Sequence, residues 1–242
     1  NIKIYKNLSA TKIAENAGVD KIKLERIEIP NVTDISKNAF LGCNKINYID
    51  ISNIKVIEEK AFYRAFADVF GEEFKTTLYL KENLEFIGKK AFSESAISEI
   101  IFKESGLNIE IQDKAFFKAH MIEKIELPKR INNIGEDVFS NCHNLKSVIY
   151  NPNYYLLPDD TFNNCFNLET VHIGDSVKRI GNNAFKNCNK LKSIFIYGDI
   201  DKIESGCFQD ILTNIKFYIN SNSSSTIKQL YLNGVQNIQF LN

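Results

Sequence analysis

Three histidines and five cysteines are the side chains of this 242-residue chain best suited to nucleophilic, general-base or metal chemistry. None stands in a pattern that such chemistry demands. The cysteines form no C-x-x-C pair, which removes the usual zinc and thiol-redox arrangements. No G-x-S-x-G, H-E-x-x-H, P-loop or G-x-G-x-x-G motif occurs. His120 and His143 would have to share a metal without a third ligand, which makes a poor site. A Cys–His nucleophile pair would need Cys165 or Cys188 to point outward. The expectation is a protein without catalytic residues, metal or cofactor.

The elements that position these residues come from a repeat. A small residue followed by Phe recurs, with Phe at positions 40, 62, 92, 116, 139, 162, 185 and 208, successive spacings being 22, 30, 24, 23, 23, 23 and 23. Five residues before each Phe stands an aliphatic, from Ile35 to Ile203, and three after it Cys43, Cys142, Cys165 and Cys188 form a column. An alternating apolar pair follows in every repeat, as in Ile125/Leu127, Val148/Tyr150, Val171/Ile173 and Ile194/Ile196. Alternation of this kind marks a strand with one buried face. A ~23-residue recurrence returns the chain beside its previous strand, so the strands stack in parallel about 4.7–4.9 Å apart and share one core. The Phe would fill the middle of each coil, and the repeated Cys reads as a buried free thiol. Gly88, Gly135 and Gly181, directly after the repeat's Ile, suit a turn with unusual backbone angles.

The pattern Ile131-x-x-Ile134-Gly135-x-x-Val138-Phe139-x-x-Cys142-x-x-Leu145-x-x-Val148-x-Tyr150 resembles the BspA-like subclass of leucine-rich repeats. The resemblance runs from about Ile13 to Ile219. It implies an α/β fold, a solenoid with a parallel β-sheet on one face and turns or short helices on the other. It also implies a secreted or cell-surface protein of a bacterium or parasitic protist, often an adhesin contacting host proteins.

Residues 1–222 are expected to form this solenoid, of about nine or ten coils, and residues 223–242 a capping helix and strand. The first coil is degenerate, with Gly18 in the Phe column. Phe62, Phe66, Phe70 and Phe74 recur every fourth residue, so the insertion around 63–75 reads as a packing helix, with a partner-binding knob as the alternative. A Ser or Thr after Asn222 would cap the last helix, and Gly234 would stop it.

Thirty basic residues balance thirty acidic ones, and neither part of the chain carries a basic excess, so nucleic acid is not an expected partner. No apolar run is long enough for a transmembrane helix, so no membrane insertion is expected within this stretch. The chain begins at Asn1 without a leader, and reads as an excerpt of a longer extracellular or cell-surface protein.

Between the two core residues of each strand lies one that must face outward: Glu28, Asp50, Tyr79, Ile101, Glu126, Ile149, His172, Phe195 and Tyr218. The column begins acidic and ends apolar or aromatic, with Tyr197 adding a ring beside Phe195. Strand propensity alone would favour such residues, yet a contiguous stripe marks an interaction site. Ile149, His172, Phe195, Tyr197 and Tyr218 are therefore the candidate binding residues. The expected function is non-enzymatic binding of a host or extracellular protein, or a glycan, with self-association open. A spacer or substrate-docking region of a larger secreted enzyme is the alternative, and an intracellular scaffold a weaker one.

Overall fold

A computed structural model describes residues 4–66, 76–104, 106–209, 211 and 215–241. They form a parallel β-solenoid of the leucine-rich repeat type. Its strands, numbered along the chain, fall on two faces. The first face carries β1 (Ile4–Lys6), β3 (Arg26–Glu28), β5 (Tyr48–Asp50), β7 (Thr77–Leu80), β9 (Glu99–Phe102), β11 (Lys124–Leu127), β13 (Ser147–Tyr150), β15 (Thr170–Ile173), β17 (Ser193–Ile196), β19 (Lys216–Asn220) and β20 (Ile238–Leu241). The second carries β2 (Lys12–Ile13), β4 (Asp34–Ile35), β6 (Val56–Ile57), β8 (Phe86–Ile87), β10 (Ile109–Ile111), β12 (Ile131–Ile134), β14 (Leu156–Leu157), β16 (Arg179–Ile180) and β18 (Lys202–Ile203).

Within each face neighbouring strands pair in parallel, as β13 does with β15 and β4 with β6, except that among the described residues no ladder joins β5 to β7, β9 to β11 or β12 to β14. The second ladder corrects the expectation for that side. The aliphatic five residues before each Phe anchors a strand of two to four residues there, too short to show a period of its own. Among the described residues the only helix is α1 (Ser224–Leu232), so the α-helical share of an α/β fold is confined to the C-terminal end.

One hydrophobic core runs through the coils. Its axis is the Phe column, whose rings stack in sequence: 5.3 Å from Phe92 to Phe116, 5.3 Å from Phe116 to Phe139, and 5.8 Å from Phe139 to Phe162. These centroid distances exceed the strand spacing, so the rings are slipped past one another, the arrangement their quadrupoles favour. The small residue before each Phe lets backbones meet. The Phe116 N–H donates to Val138 O at 3.0 Å and the Phe162 N–H to Ala184 O at 2.9 Å, tying each coil to the next.

The turns flanking each Phe from Phe40 to Phe185 hold the unusual backbone angles, two residues before and two after it. Asp137 and Asn141 (φ 58° and 62°) flank Phe139, and Asn183 and Asn187 (φ 54° and 61°) flank Phe185. Asn tolerates this left-handed region better than most residues, and Asn141, Asn164 and Asn187 also hydrogen-bond to one another, at 3.3 and 2.7 Å. The degenerate first coil keeps the same geometry at Asn16 and Asp20 around Gly18. Gly88, Gly135 and Gly181 are not in that region, contrary to expectation. They are glycine because of close approach: a Cβ on Gly135 would lie 2.5 Å from Asp113 N, and one on Gly88 2.7 Å from Glu58 C.

All five cysteines are buried and unpaired. Each repeat-column thiol donates to a carbonyl of the preceding coil, Cys165 to Phe139 O at 3.2 Å and Cys188 to Phe162 O at 3.2 Å. Burial pushes the thiols of Cys142 and Cys188 up to about 12. An alkylating reagent at pH 8 is therefore expected to leave the folded protein almost unmodified and to label five thiols once it is denatured. Mass spectrometry of the two samples checks this, and two labels missing after denaturation without reductant would demonstrate a disulfide instead.

Two irregular loops after β7 and β9 are held by one side chain. Arg130 is only 6% exposed, and its guanidinium donates to Lys103 O (2.7 Å), Leu107 O (2.6 Å), Leu84 O (3.2 Å) and Lys81 O (2.7 Å).

The insertion read as helical lies, from residue 67, outside the described residues; residues 63–66 are turn and bend, with Phe66 buried beside Phe62 and Phe92. At the C-terminal end α1 buries Leu230 and Thr226. Its first turn is capped from the preceding coil: the Thr226 N–H donates to Asp199 Oδ1 at 2.9 Å. Ser223 occupies the N-cap position without a capping bond, and its hydroxyl donates to Gly198 O at 3.3 Å. Gly234 follows with φ 80°, and β20 continues the ladder of β19 in parallel.

Candidate functional site

The parallel register places four of the candidate residues side by side on the open sheet face. Ile149 on β13 is opposite His172 on β15, His172 opposite Phe195 on β17, and Phe195 opposite Tyr218 on β19. Each alternates with residues that enter the core, so the strands present them outward. They are half-buried rather than open, because the rings cover one another. His172 and Phe195 stack at 4.4 Å with planes 3° apart, and Phe195 and Tyr218 at 4.5 Å with planes 9° apart. Tyr197, beyond the end of β17, is 48% exposed and shares a 2.8 Å hydrogen bond between its hydroxyl and His172 Nδ1.

Both faces of the Phe195 ring are thus covered, and the row offers ring edges to solvent. Burial holds the His172 imidazole below its ordinary value, which keeps it neutral at physiological pH. The N-terminal members of the column do not join this row. Tyr79 and Ile101 are exposed on β7 and β9, where ladders are interrupted, and Glu28 is paired with Arg26 at 2.7 Å.

Beside the row, Ile149, His172 and Tyr197 share a shallow depression of about 260 Å³ with Lys129, Asn151, Gly174 and Asp175. Sequence reasoning passed over these four. Lys129 and Asp175 meet at 3.2 Å across two coils, a separation of 46 residues that has meaning only once the repeat is folded. The Lys129 ammonium holds the Asp175 carboxyl below the usual carboxylate range.

The residues considered for catalysis lie elsewhere. The thiols are buried, and the His143 ring stacks on Phe166 at 4.9 Å. Among the described residues no three His, Cys, Asp or Glu side chains converge on a point where a metal could sit. Nor is any described helix long and apolar enough to cross a membrane.

The family model for the BspA type leucine rich repeat region matches in six copies, over residues 1–110, 65–192 and 109–239. The chain belongs to this family. No curated protein matches it. Among solved structures, this BspA-type chain is similar to a leucine-rich repeat protein from Bacteroides ovatus, at 19% identity and a TM-score of 0.53, covering 98% of this chain and 83% of the other. A leucine rich cell surface protein from Faecalibacterium prausnitzii matches at 19% identity and TM-score 0.51, with 96% and 77% covered. The pneumococcal vaccine antigen PcpA matches at 18% identity and TM-score 0.50, with 96% and 85% covered. At these identities the likeness is one of fold.

Proposed function

We propose that this BspA-type repeat is a non-enzymatic, extracellular or cell-surface module that binds another protein, as in adhesion, through the row Ile149, His172, Phe195 and Tyr218 with Tyr197 at its side. One observation carries the reading: three stacked rings standing edge-up on a sheet face, where isolated apolar side chains would be ordinary but a contiguous stripe marks an interface. The description of one solved relative as a cell surface protein, and of another as a vaccine antigen, supports the location.

Ring geometry favours a protein over a glycan. A sugar stacks its C–H groups on an open ring face, the electron-rich side of the quadrupole, and here the central ring has none. Edges fit the carbonyls and aliphatic side chains of a polypeptide surface, and Tyr and Phe are common anchors in interface cores.

The test is binding of the purified chain to panels of extracellular-matrix proteins, plasma proteins and glycans, beside a Phe195→Ala/Tyr218→Ala variant. Proteins should be captured, and the variant should bind them at least about tenfold more weakly while melting within a few degrees of the parent. A bound partner would desolvate His172 further and lower its pKa again, so affinity should fall as the pH drops through the depressed pKa of the free protein. A His172→Phe variant should lose that pH dependence. Full binding by the folded double variant, or capture of glycans alone, would reject the reading.

A further inference from the structure

Leu127, Tyr150, Ile173 and Ile196 are partners in the ladders of β11, β13, β15 and β17. One residue beyond them, Pro128, Asn151, Gly174 and Tyr197 follow one another in successive coils, and one further on Lys129, Pro152, Asp175 and Gly198. Gly174 has no side chain to fill its place. A Cβ there would lie 2.3 Å from Asn151 Oδ1, so the Asn151 carboxamide rests over the glycine, where the depression beside the aromatic row is formed. That carboxamide makes no hydrogen bond among the described residues. Ile149 and the Tyr197 ring line the same depression.

Lys129 reaches past the coil of Pro152, which is buried and raises no long side chain, to meet Asp175 at 3.2 Å. The two partners are unequal. Asp175 hangs on one methylene and stays in the lining, whereas the ammonium of Lys129 swings on four. Both side chains are mostly exposed, and an exposed pair holds its ions together by a factor of about five at most. With the ammonium swung out, the depression presents a carboxylate, a carboxamide oxygen and an aromatic ring. The His172 imidazole beside them is neutral, held below its ordinary value by burial, and adds no charge.

We propose that this depression receives an arginine side chain of the protein that the aromatic row binds, an inference that rests on the row as that protein's contact surface. The guanidinium displaces Lys129 from Asp175, donates to the carboxylate and to Asn151 Oδ1, and lays its plane against the Tyr197 ring, while its methylenes pass Ile149. A lysine matches this set less well, because an ammonium is a point charge without a planar fork. A carboxylate matches it least: it meets one mobile ammonium, with Asp175 fixed beside it.

The test is an NMR titration of the isotopically labelled chain with the N-acetyl amides of arginine, lysine and glutamate. The arginine compound should saturably shift the backbone amides of Gly174 and Asp175 and the side-chain amide of Asn151, with a Kd of about 1–10 mM, the range open to so small a ligand. The lysine compound should bind at least about threefold more weakly, and the glutamate compound should not saturate. Asp175→Asn should weaken arginine binding at least about tenfold. Lys129→Ala should strengthen it about two- to fivefold by removing the competing ammonium, a gain that a merely structural role for Lys129 would not produce. Absence of saturation, equal binding of the three compounds, or shifts centred elsewhere would overturn the proposal. So would weaker binding by Lys129→Ala, which would make the ammonium the recognising group and the ligand an anion. The titration uses no protein partner, so capture of proteins by the parent without arginine saturation would refute this inference and leave the row standing. Loss of the row instead shows as full capture by Phe195→Ala/Tyr218→Ala, and would overturn both.

Discussion

Replacing Phe139 by Ala is expected to destabilise the fold by about 3–5 kcal/mol, the cost of deleting a fully buried aromatic ring and leaving its cavity. Phe139 is 0% exposed and stacks on Phe116 and Phe162. Its loss therefore removes two ring contacts, each worth about 0.5–1.5 kcal/mol beyond area burial. The small residues around it are fixed by backbone bonds between coils, so the walls cannot collapse far into the space. Phe139→Leu keeps most of the buried volume and should cost under about 2 kcal/mol. Urea unfolding of both variants checks this. A loss below about 1 kcal/mol for Phe139→Ala would mean that the stack fills space without organising the core. Because each coil contacts only its neighbours, a weakened centre should also broaden the transition.

Removing the Arg130 side chain should cost about 2–4 kcal/mol, because its loss strands the Leu84, Lys103 and Leu107 carbonyls, while Lys81 O keeps the Leu84 N–H at 3.2 Å. The four acceptors belong to Lys81, Leu84, Lys103 and Leu107, on two loops separated along the chain. Arg130→Lys should recover less than half of the loss, since a single ammonium cannot span four acceptors arranged around a planar fork. Hydrogen exchange should show the damage locally, with faster exchange in residues 81–84 and 103–107 and little change beyond Tyr150. A variant as stable as the parent, with unchanged exchange in those loops, would show that water replaces the guanidinium without cost.

Much of the fold can be read from the sequence, because each coil reports the same constraint again. The alternating pairs give the first-face strands, and their register places Ile149, His172, Phe195 and Tyr218 opposite one another. The second ladder is silent because two residues with one buried aliphatic have no detectable period. Gly88, Gly135 and Gly181 were legible as constrained positions but not for the right reason: what excludes a side chain is the neighbouring coil's backbone. The left-handed positions are the more instructive case. Six asparagines, Asn16, Asn38, Asn141, Asn164, Asn183 and Asn187, take positive φ in the turns beside the Phe column, where Lys, Arg, Glu and Asp serve in other coils, so residue type alone does not mark these turns. Arg130 and the Lys129–Asp175 pair leave no local signature, since their partners lie up to 49 and 46 residues away in loops of different coils.

The backbone bonds from coil to coil run along the solenoid axis, and this governs how the molecule would carry a load. Tension between its ends does not shear a long ladder with all bonds resisting together. It opens the bonds of the outermost coil first, in the manner of a zipper, and then those of the next. Each regular coil holds 23 residues, so its release lengthens the chain by roughly 70–80 Å, from a reach of ~3.3–3.6 Å per residue less the ~4.8 Å strand spacing. A protein pulled while attached would then give way in increments, one coil's length at a time, with the coils farther from the grip still folded.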